Sequence, residues 1–376
     1  MAVTLTRNAT AASTPARSGR VIEIDFFRGI VLLMIVVDHI GGSIVSKFTL
    51  HSFALCDAAE VFVFLGGFAA ASAFVSMSER YGADVGRRRF MRRAVQIYRA
   101  FLATTTLMLV VSAVLDHYGI ESPNLALDDV SVMLATPLTG LVEVLTFQRQ
   151  PYLASVLPMY VLFALAVPAI VPLARRWPVW LFAGSCAAWL ASGRLGAQLL
   201  NTPSFKWSFN PFAWQLMFVL GALVRCQPIY RSLAASRYGA VLTGVALGIA
   251  LVCAYYKLFS GLPLPEGVMK RDLAWPRVVS FLAVAWLMAD LVRSGWVGKL
   301  AHAVQPVVAV GQRGLVCYVV GTAISLTLDS LMHHAAASPR FSPFGVGLAA
   351  DTIALGCLLM LASSGGWRQR MRRAPA

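Results

Sequence analysis

Residues 25–45 read DFFRGIVLLMIVVDHIGGSIV, an apolar run long enough to cross a bilayer that nonetheless carries Asp25, Arg28, Asp38 and His39. Nine further runs of similar character follow, at about 58–77, 94–115, 153–174, 178–199, 210–226, 238–258, 275–292, 306–331 and 344–364. The composition matches them. Of 376 residues, 58% are apolar and 13% charged, where a soluble domain has roughly 25% charged. A water-soluble globule, a disordered chain and a coiled coil are thereby excluded. The expected fold is an all-α integral membrane protein, a polytopic bundle of about ten transmembrane helices.

The net charge of +15 raises the question of nucleic acid, and the placement of the charges answers it. They fall in short clusters between apolar runs, with no extended basic face interleaved with aromatics. Alternate connections differ sharply. Twenty basic residues lie on one side, among them Arg7, Arg17, Arg87, Arg88, Arg175 and Arg370, against nine on the other, including Lys47, Arg149 and Lys257. By the positive-inside rule both termini are expected to be cytoplasmic. Residues 1–21 have no apolar stretch and read as a flexible cytoplasmic tail, 22–366 as one membrane domain, and 367–376 as a basic tail. The basicity thus sets topology, the partner is the lipid bilayer, and nucleic acid is not expected.

The longest polar connection, about 116–152, is expected outside the cytoplasm. It holds Glu121, Asp128 and Asp129, and Pro137, Leu138, Leu141, Val144 and Leu145 are placed to form a short interfacial helix. The six cysteines lie far apart with no CxxC, which reads as small apolar packing residues. His333-His334 reads as part of a short outer loop, and no metal site is expected there.

Ionisable groups inside spans are costly and mark function by default. In the first span Arg28 and His39 are 11 residues apart, three helical turns plus about 20°, so they share one face about 16 Å apart along the axis. One face then offers an anion-binding cation at one depth and a proton-transfer group at another. An activated acyl donor, its phosphates inside and its reactive end held outward, suits that spacing. Asp38 lies about 100° round the helix from His39, and Asp57 and Glu60 open the second span. The plainer readings are a snorkelling arginine and a hydrogen-bonded packing histidine; the density of charge at two adjacent helix ends argues against them.

The same residues carry a resemblance. Glu23-Ile24-Asp25-Phe26-Phe27-Arg28-Gly29, continuing to Asp38-His39-Ile40, resembles the opening of the OpgC family. That family belongs to the acyltransferase 3 superfamily of membrane acyltransferases, marked by an arginine and a histidine with ten residues between them, here Arg28 and His39. The blocks from Phe48 to Gly67, from Phe209 to Gln215, Lys270 with Leu273 and Arg277, and Leu157-Pro158 with Tyr160 are also similar to it. The resemblance spans about 22–364. Two departures stand out: Gly66 occupies a place where the family usually has serine, and Arg313-Gly314 precedes Leu315 where a small polar residue is commoner.

The resemblance implies an acyltransferase (EC 2.3.1 type) of the cell inner membrane. It would move an acyl group, succinyl for OpgC-type members, from cytoplasmic acyl-CoA to hydroxyls of a periplasmic glucan. Succinyl-CoA or acetyl-CoA is then a donor substrate, and no tightly bound cofactor is expected. A sugar hydroxyl is a poor nucleophile, so a base must take its proton; His39 is expected in that role, by direct attack or through an acyl-histidine, with Glu60 or Asp57 orienting it and Asp38 alongside. Arg28 is expected to hold the CoA phosphates, with Arg89, Arg92 and Arg93 as helpers that topology alone would also demand. Trp207, Asn210, Trp214 and Gln215 mix flat faces with amides, a surface for sugars, though an interfacial belt also places tryptophan at span ends. Lys270 and Arg277, two turns apart, are expected to attract an anionic acyl group or stabilise an oxyanion. The alternatives are acetyl transfer to another envelope glycan or small molecule, and a multi-span transporter.

Overall fold

The computed structural model describes residues 21–120, 135–199, 207–261, 266–336 and 342–371. Among these no strand occurs; the chain is helical throughout, joined by turns and short 3-10 segments. The principal helices are α1 (Ile22–Asp38), α2 (Ala58–Tyr81), α3 (Ala83–His117), α4 (Pro137–Leu145), α5 (Val156–Arg176), α6 (Pro178–Leu190), α7 (Pro211–Cys226) and α8 (Gly239–Phe259). They are followed by α9 (Glu266–Arg271), α10 (Trp275–Arg293), α11 (Trp296–Ala303), α12 (Gln305–Gln312), α13 (Gly314–Ala336) and α14 (Pro343–Met371).

Among the described residues seven helices are long and apolar enough to cross a membrane: α2, α3, α5 with the turn before it, α8, α10, α13 and α14. Three of the ten expected spans are shorter. Helix α1 has 17 residues, α6 has 13 and α7 has 16. The expected ninth span is broken at Arg313, which caps α12 and donates from Nη1 to the Leu361 carbonyl at 3.1 Å. Helix α3 runs 35 residues, and its first turns carry the Arg87–Arg93 cluster beyond the apolar stretch. The interfacial helix expected within 116–152 is α4, with Leu138, Leu141 and Val142 exposed. Glu121, Asp128 and Asp129, Lys206, most of the 1–21 tail and residues 372–376 lie outside the described residues.

Helix α2 sits at the centre, packed on α7, α3, α1 and α5. Two crossings bring backbones into contact, and each needs a residue without a side chain. A Cβ on Gly67 of α2 would overlap the Phe218 carbonyl of α7, and one on Gly29 of α1 would overlap the Val307 carbonyl of α12. Small residues at such crossings let helices approach closely where lipid offers no hydrophobic drive. The core side chains Phe101, Met159, Trp214, Met217 and Phe281 are fully buried, whereas α8 turns Val241, Val245, Leu251, Val252 and Phe259 outward. Such an outward apolar stripe fits a bilayer and no aqueous surface.

Candidate functional site

Helix α1 ends at Asp38, and Gly41-Gly42 turn the chain beyond it, Gly42 with a positive φ of 78°. His39 caps that end. Its Nδ1 lies 2.6 Å from the Ile35 carbonyl, four residues back. A carbonyl can only accept, so Nδ1 carries the hydrogen and the neutral ring keeps its lone pair on Nε2. The ring stands edge-on to Tyr152, centroids 5.7 Å apart.

The loop after His39 is fastened by three aspartates. Gly41 N–H donates to Asp329 Oδ1 at 2.7 Å; Ser43 Oγ donates to Asp351 Oδ1 at 2.6 Å; Ile44 and Val45 N–H donate to Asp351 Oδ2 at 2.8 and 2.9 Å. Thr49 Oγ1 donates to Asp38 Oδ1 at 2.6 Å, and His51 Nδ1 lies 3.3 Å from the same oxygen. The hydrogen bond to Asp38 raises the His51 pKa above its ordinary value against an opposing effect of burial.

Asp57 and Glu60 form a reciprocal cap on α2: Asp57 Oδ1 accepts from Ala59 N–H at 2.7 Å and Glu60 Oε2 from Asp57 N–H at 2.9 Å. Their other oxygens meet cations. Arg277 Nε is 2.5 Å from Glu60 Oε1, while Arg277 Nη2 and Lys270 Nζ are 3.0 and 2.9 Å from Asp57 Oδ2. Desolvation works against ionisation of Asp57, but Lys270 and Arg277 beside it hold its carboxyl well below the usual range. Both Glu60 oxygens are thus committed to Arg277 and the helix cap, and the imidazole Nδ1 meets the Ile35 carbonyl rather than Glu60 or Asp57, the two carboxylates expected to orient it.

Two cavities flank α1. One, about 1050 Å³, is lined by Arg28, Arg88, Arg89, Arg92, Arg93 and Arg225, with Gln96, Gly66 and Tyr160. The other, about 620 Å³, is lined by His39, Asp38, His51, Asp57, Lys270 and Arg277, with Tyr152, Trp207 and Phe209. Leu32, Ile35, Val36 and His39 line the second cavity and Arg28 the first, so residues at i, i+4, i+7, i+8 and i+11 share one face of α1. Arg28 and the arginines of α3 meet in one cavity. Arg225 joins them, its Nε donating to Ser72 Oγ at 2.7 Å, although the sequence marks it only as a loop charge.

Asn210, Trp214 and Gln215, expected to meet a sugar, are placed behind the His39 cavity. Asn210 caps α7, accepting from Phe212 N–H at 3.1 Å and donating to Ser192 O and Asp272 Oδ1, each at 2.8 Å. Trp214 is fully buried and its Nε1 donates to the Lys270 carbonyl at 3.0 Å. Gln215 exchanges hydrogen bonds with Ser185, 2.7 Å each way. The polar atoms of Asn210 and Trp214 fasten the segment carrying Lys270, and Trp207 and Phe209 present the aromatic faces instead.

This arrangement defines a class: an all-helical membrane protein in which one helix presents an arginine to a basic cavity and a histidine to a second. The family model described as OpgC protein matches residues 20–370, and the chain belongs to the OpgC family, whose members are acyltransferase-like membrane proteins. No curated protein and no solved structure matches it.

Proposed function

We propose that this protein is an inner-membrane O-acyltransferase that moves a succinyl group from cytoplasmic acyl-CoA to hydroxyls of an extracytoplasmic glucan, both termini being cytoplasmic. The observation that carries the reading is the split of one α1 face between two cavities, Arg28 in the basic one and His39 in the other. Arginine forks recognise phosphate through paired charge-assisted hydrogen bonds, so the basic cavity takes the nucleotide end of the donor. Arg28 holds it, with Arg89, Arg92 and Arg93 adding charge. The thioester end lies toward His39.

His39 Nε2 accepts the proton of the sugar hydroxyl as its oxygen attacks the thioester carbonyl carbon. The tetrahedral intermediate collapses, the carbon–sulfur bond breaks, and the imidazolium returns the proton to the departing thiolate. The alternative path, through an acyl-histidine, uses the same nitrogen as nucleophile. Lys257, Lys270, Arg271 and Arg277 outnumber Asp38 and Asp57 among the charged groups lining the His39 cavity, with Glu60 behind Arg277 and Asp272 beside Arg271 offsetting part of the excess. That excess favours an acyl group bearing its own carboxylate, hence succinyl over acetyl. Trp207 and Phe209 supply flat faces for the sugar.

The test is transfer by the purified protein in nanodiscs, offered succinyl-CoA or acetyl-CoA with a glucan acceptor and read by mass spectrometry of the glycan. Succinylated product supports the reading. Acetyl product alone overturns the donor assignment, and consumption of neither thioester overturns the activity.

A further inference from the structure

The two cavities share no lining residue among the described ones, yet a donor anchored at Arg28 must present its thioester at His39, about 16 Å along the helix. Three rings in mutual contact link the two linings. Tyr160 lines the arginine side; Phe62 and Tyr318 line the histidine side. Phe62 meets Tyr160 edge-on with centroids 5.4 Å apart and stacks on Tyr318 at 6.2 Å with planes 16° apart.

The three rings are not held alike. Tyr160 Oη donates to the Phe62 carbonyl at 2.9 Å, and Tyr318 Oη to the Leu153 carbonyl at 2.5 Å. Both tyrosines are therefore tied to backbone. Phe62 has no polar side-chain atom, so no hydrogen bond tethers its ring, and the bond its carbonyl accepts is made through backbone. One turn further along α2, Gly66 leaves the space in which the Tyr160 hydroxyl sits; a Cβ there would lie 2.7 Å from Oη. The departure from serine at this position is thus matched to the tyrosine post.

Resting on the acyl-transfer reading for its purpose, but on these contacts for its geometry, we propose that Phe62 is a gate between the two cavities. Tyr160 and Tyr318 are its fixed posts. Its ring closes the passage at rest, and its swing admits a thin thioester arm while keeping the bulky, charged nucleotide behind.

The experiment needs no acyl donor. In the full-length chain with its six cysteines replaced by alanine, Ala59→Cys puts a single thiol on the histidine side, one turn from Phe62. A membrane-impermeant methanethiosulfonate is applied to reconstituted protein from the face on which the arginine cavity opens, and labelling rates are compared. With Phe62 present, labelling from that face is slow. Phe62→Ala is expected to accelerate it roughly tenfold, equivalent to about 1.4 kcal/mol of lost ring contacts. Tyr160→Phe, which keeps the ring and removes its tether, gives a smaller acceleration. Should Phe62→Ala not yield folded protein, Phe62→Leu serves, with the same direction expected. Equal rates with and without the Phe62 ring, fast or slow, overturn the gate. Because the probe is a thiol reagent, that failure is distinct from a failure to transfer acyl groups.

Discussion

Arg277 and Glu60, 217 positions apart in sequence, face each other with Nε 2.5 Å from Oε1, and both are buried. Removing one member of such a pair leaves the other charge in a low-dielectric interior, at a cost of about 3–5 kcal/mol. Arg277→Met is therefore expected to lower the melting temperature in detergent markedly, since Asp57 loses a partner as well. Intrinsic fluorescence on heating reads the shift. An unchanged melt would show that this ion pair does not hold α10 to α2.

His39→Ala tests the base. Positioned general bases contribute roughly a hundredfold to ten-thousandfold in rate, and the substitution removes the imidazole that lines the cavity with its Nδ1 held on the Ile35 carbonyl. The expected result is loss of transfer on that scale with near-normal melting. Full activity in a properly folded variant would remove the assigned role.

Much of this site is visible in the chain before it folds, and the remainder is hidden for physical reasons. The shared face of Arg28 and His39 follows from helical periodicity alone, because both stand out in an apolar run. Asp57 and Glu60 carry the spacing of a capping box, and Asn210 before Pro211 that of a helix start. Those local signals account for their hydrogen bonds better than an active-site reading does. What no local pattern reveals is the partner: Arg277 reaches Glu60, and Asp351 reaches Ser43, only once distant helices pack. The meeting of His51 with Asp38 is equally hidden, because it depends on an irregular loop of 3-10 turns with no period to read. Apolar composition marks α6 and α7, but length is set by where the backbone turns.

Arg28→Gln is expected to raise KM for the acyl-CoA donor with a smaller effect on kcat. A hydrogen bond to a charged group contributes about 1.5–3 kcal/mol, roughly tenfold to a hundredfold in affinity. The other arginines of the cavity soften the loss, and added salt is expected to mimic it. Initial rates against donor concentration at two ionic strengths decide the matter. An unaltered KM would show that the phosphates bind elsewhere.

The Asp38–His51 contact predicts a pH dependence of stability. Asp38 raises the folded-state pKa of His51 above its ordinary value, near 6.5. A raised histidine contributes stability that is complete below its unfolded-state pKa and lost as pH climbs through the folded one. Melting temperature is therefore expected to fall as pH rises from about 6 to 8, and His51→Gln to flatten the slope. An equally steep slope in that variant would place the titrating group elsewhere.

Asp351 offers a way to separate positioning from chemistry. It is buried in α14, and its two oxygens take three hydrogen bonds from Ser43, Ile44 and Val45. These residues begin four positions after His39, beyond the two glycines that follow α1, so the carboxylate fixes the chain that leaves the histidine. It touches neither cavity lining. Asp351→Ala removes all three bonds and leaves the loop donors short of an acceptor, which costs about 1–3 kcal/mol for each buried group left unpaired. If the loop aims the imidazole, kcat falls by an order of magnitude or more while donor KM stays put, because Arg28 is anchored three turns away. Asp351→Asn keeps one acceptor oxygen and is expected to recover part of the rate. Parallel losses of stability and kcat that the asparagine does not relieve would mean that Asp351 merely supports the fold.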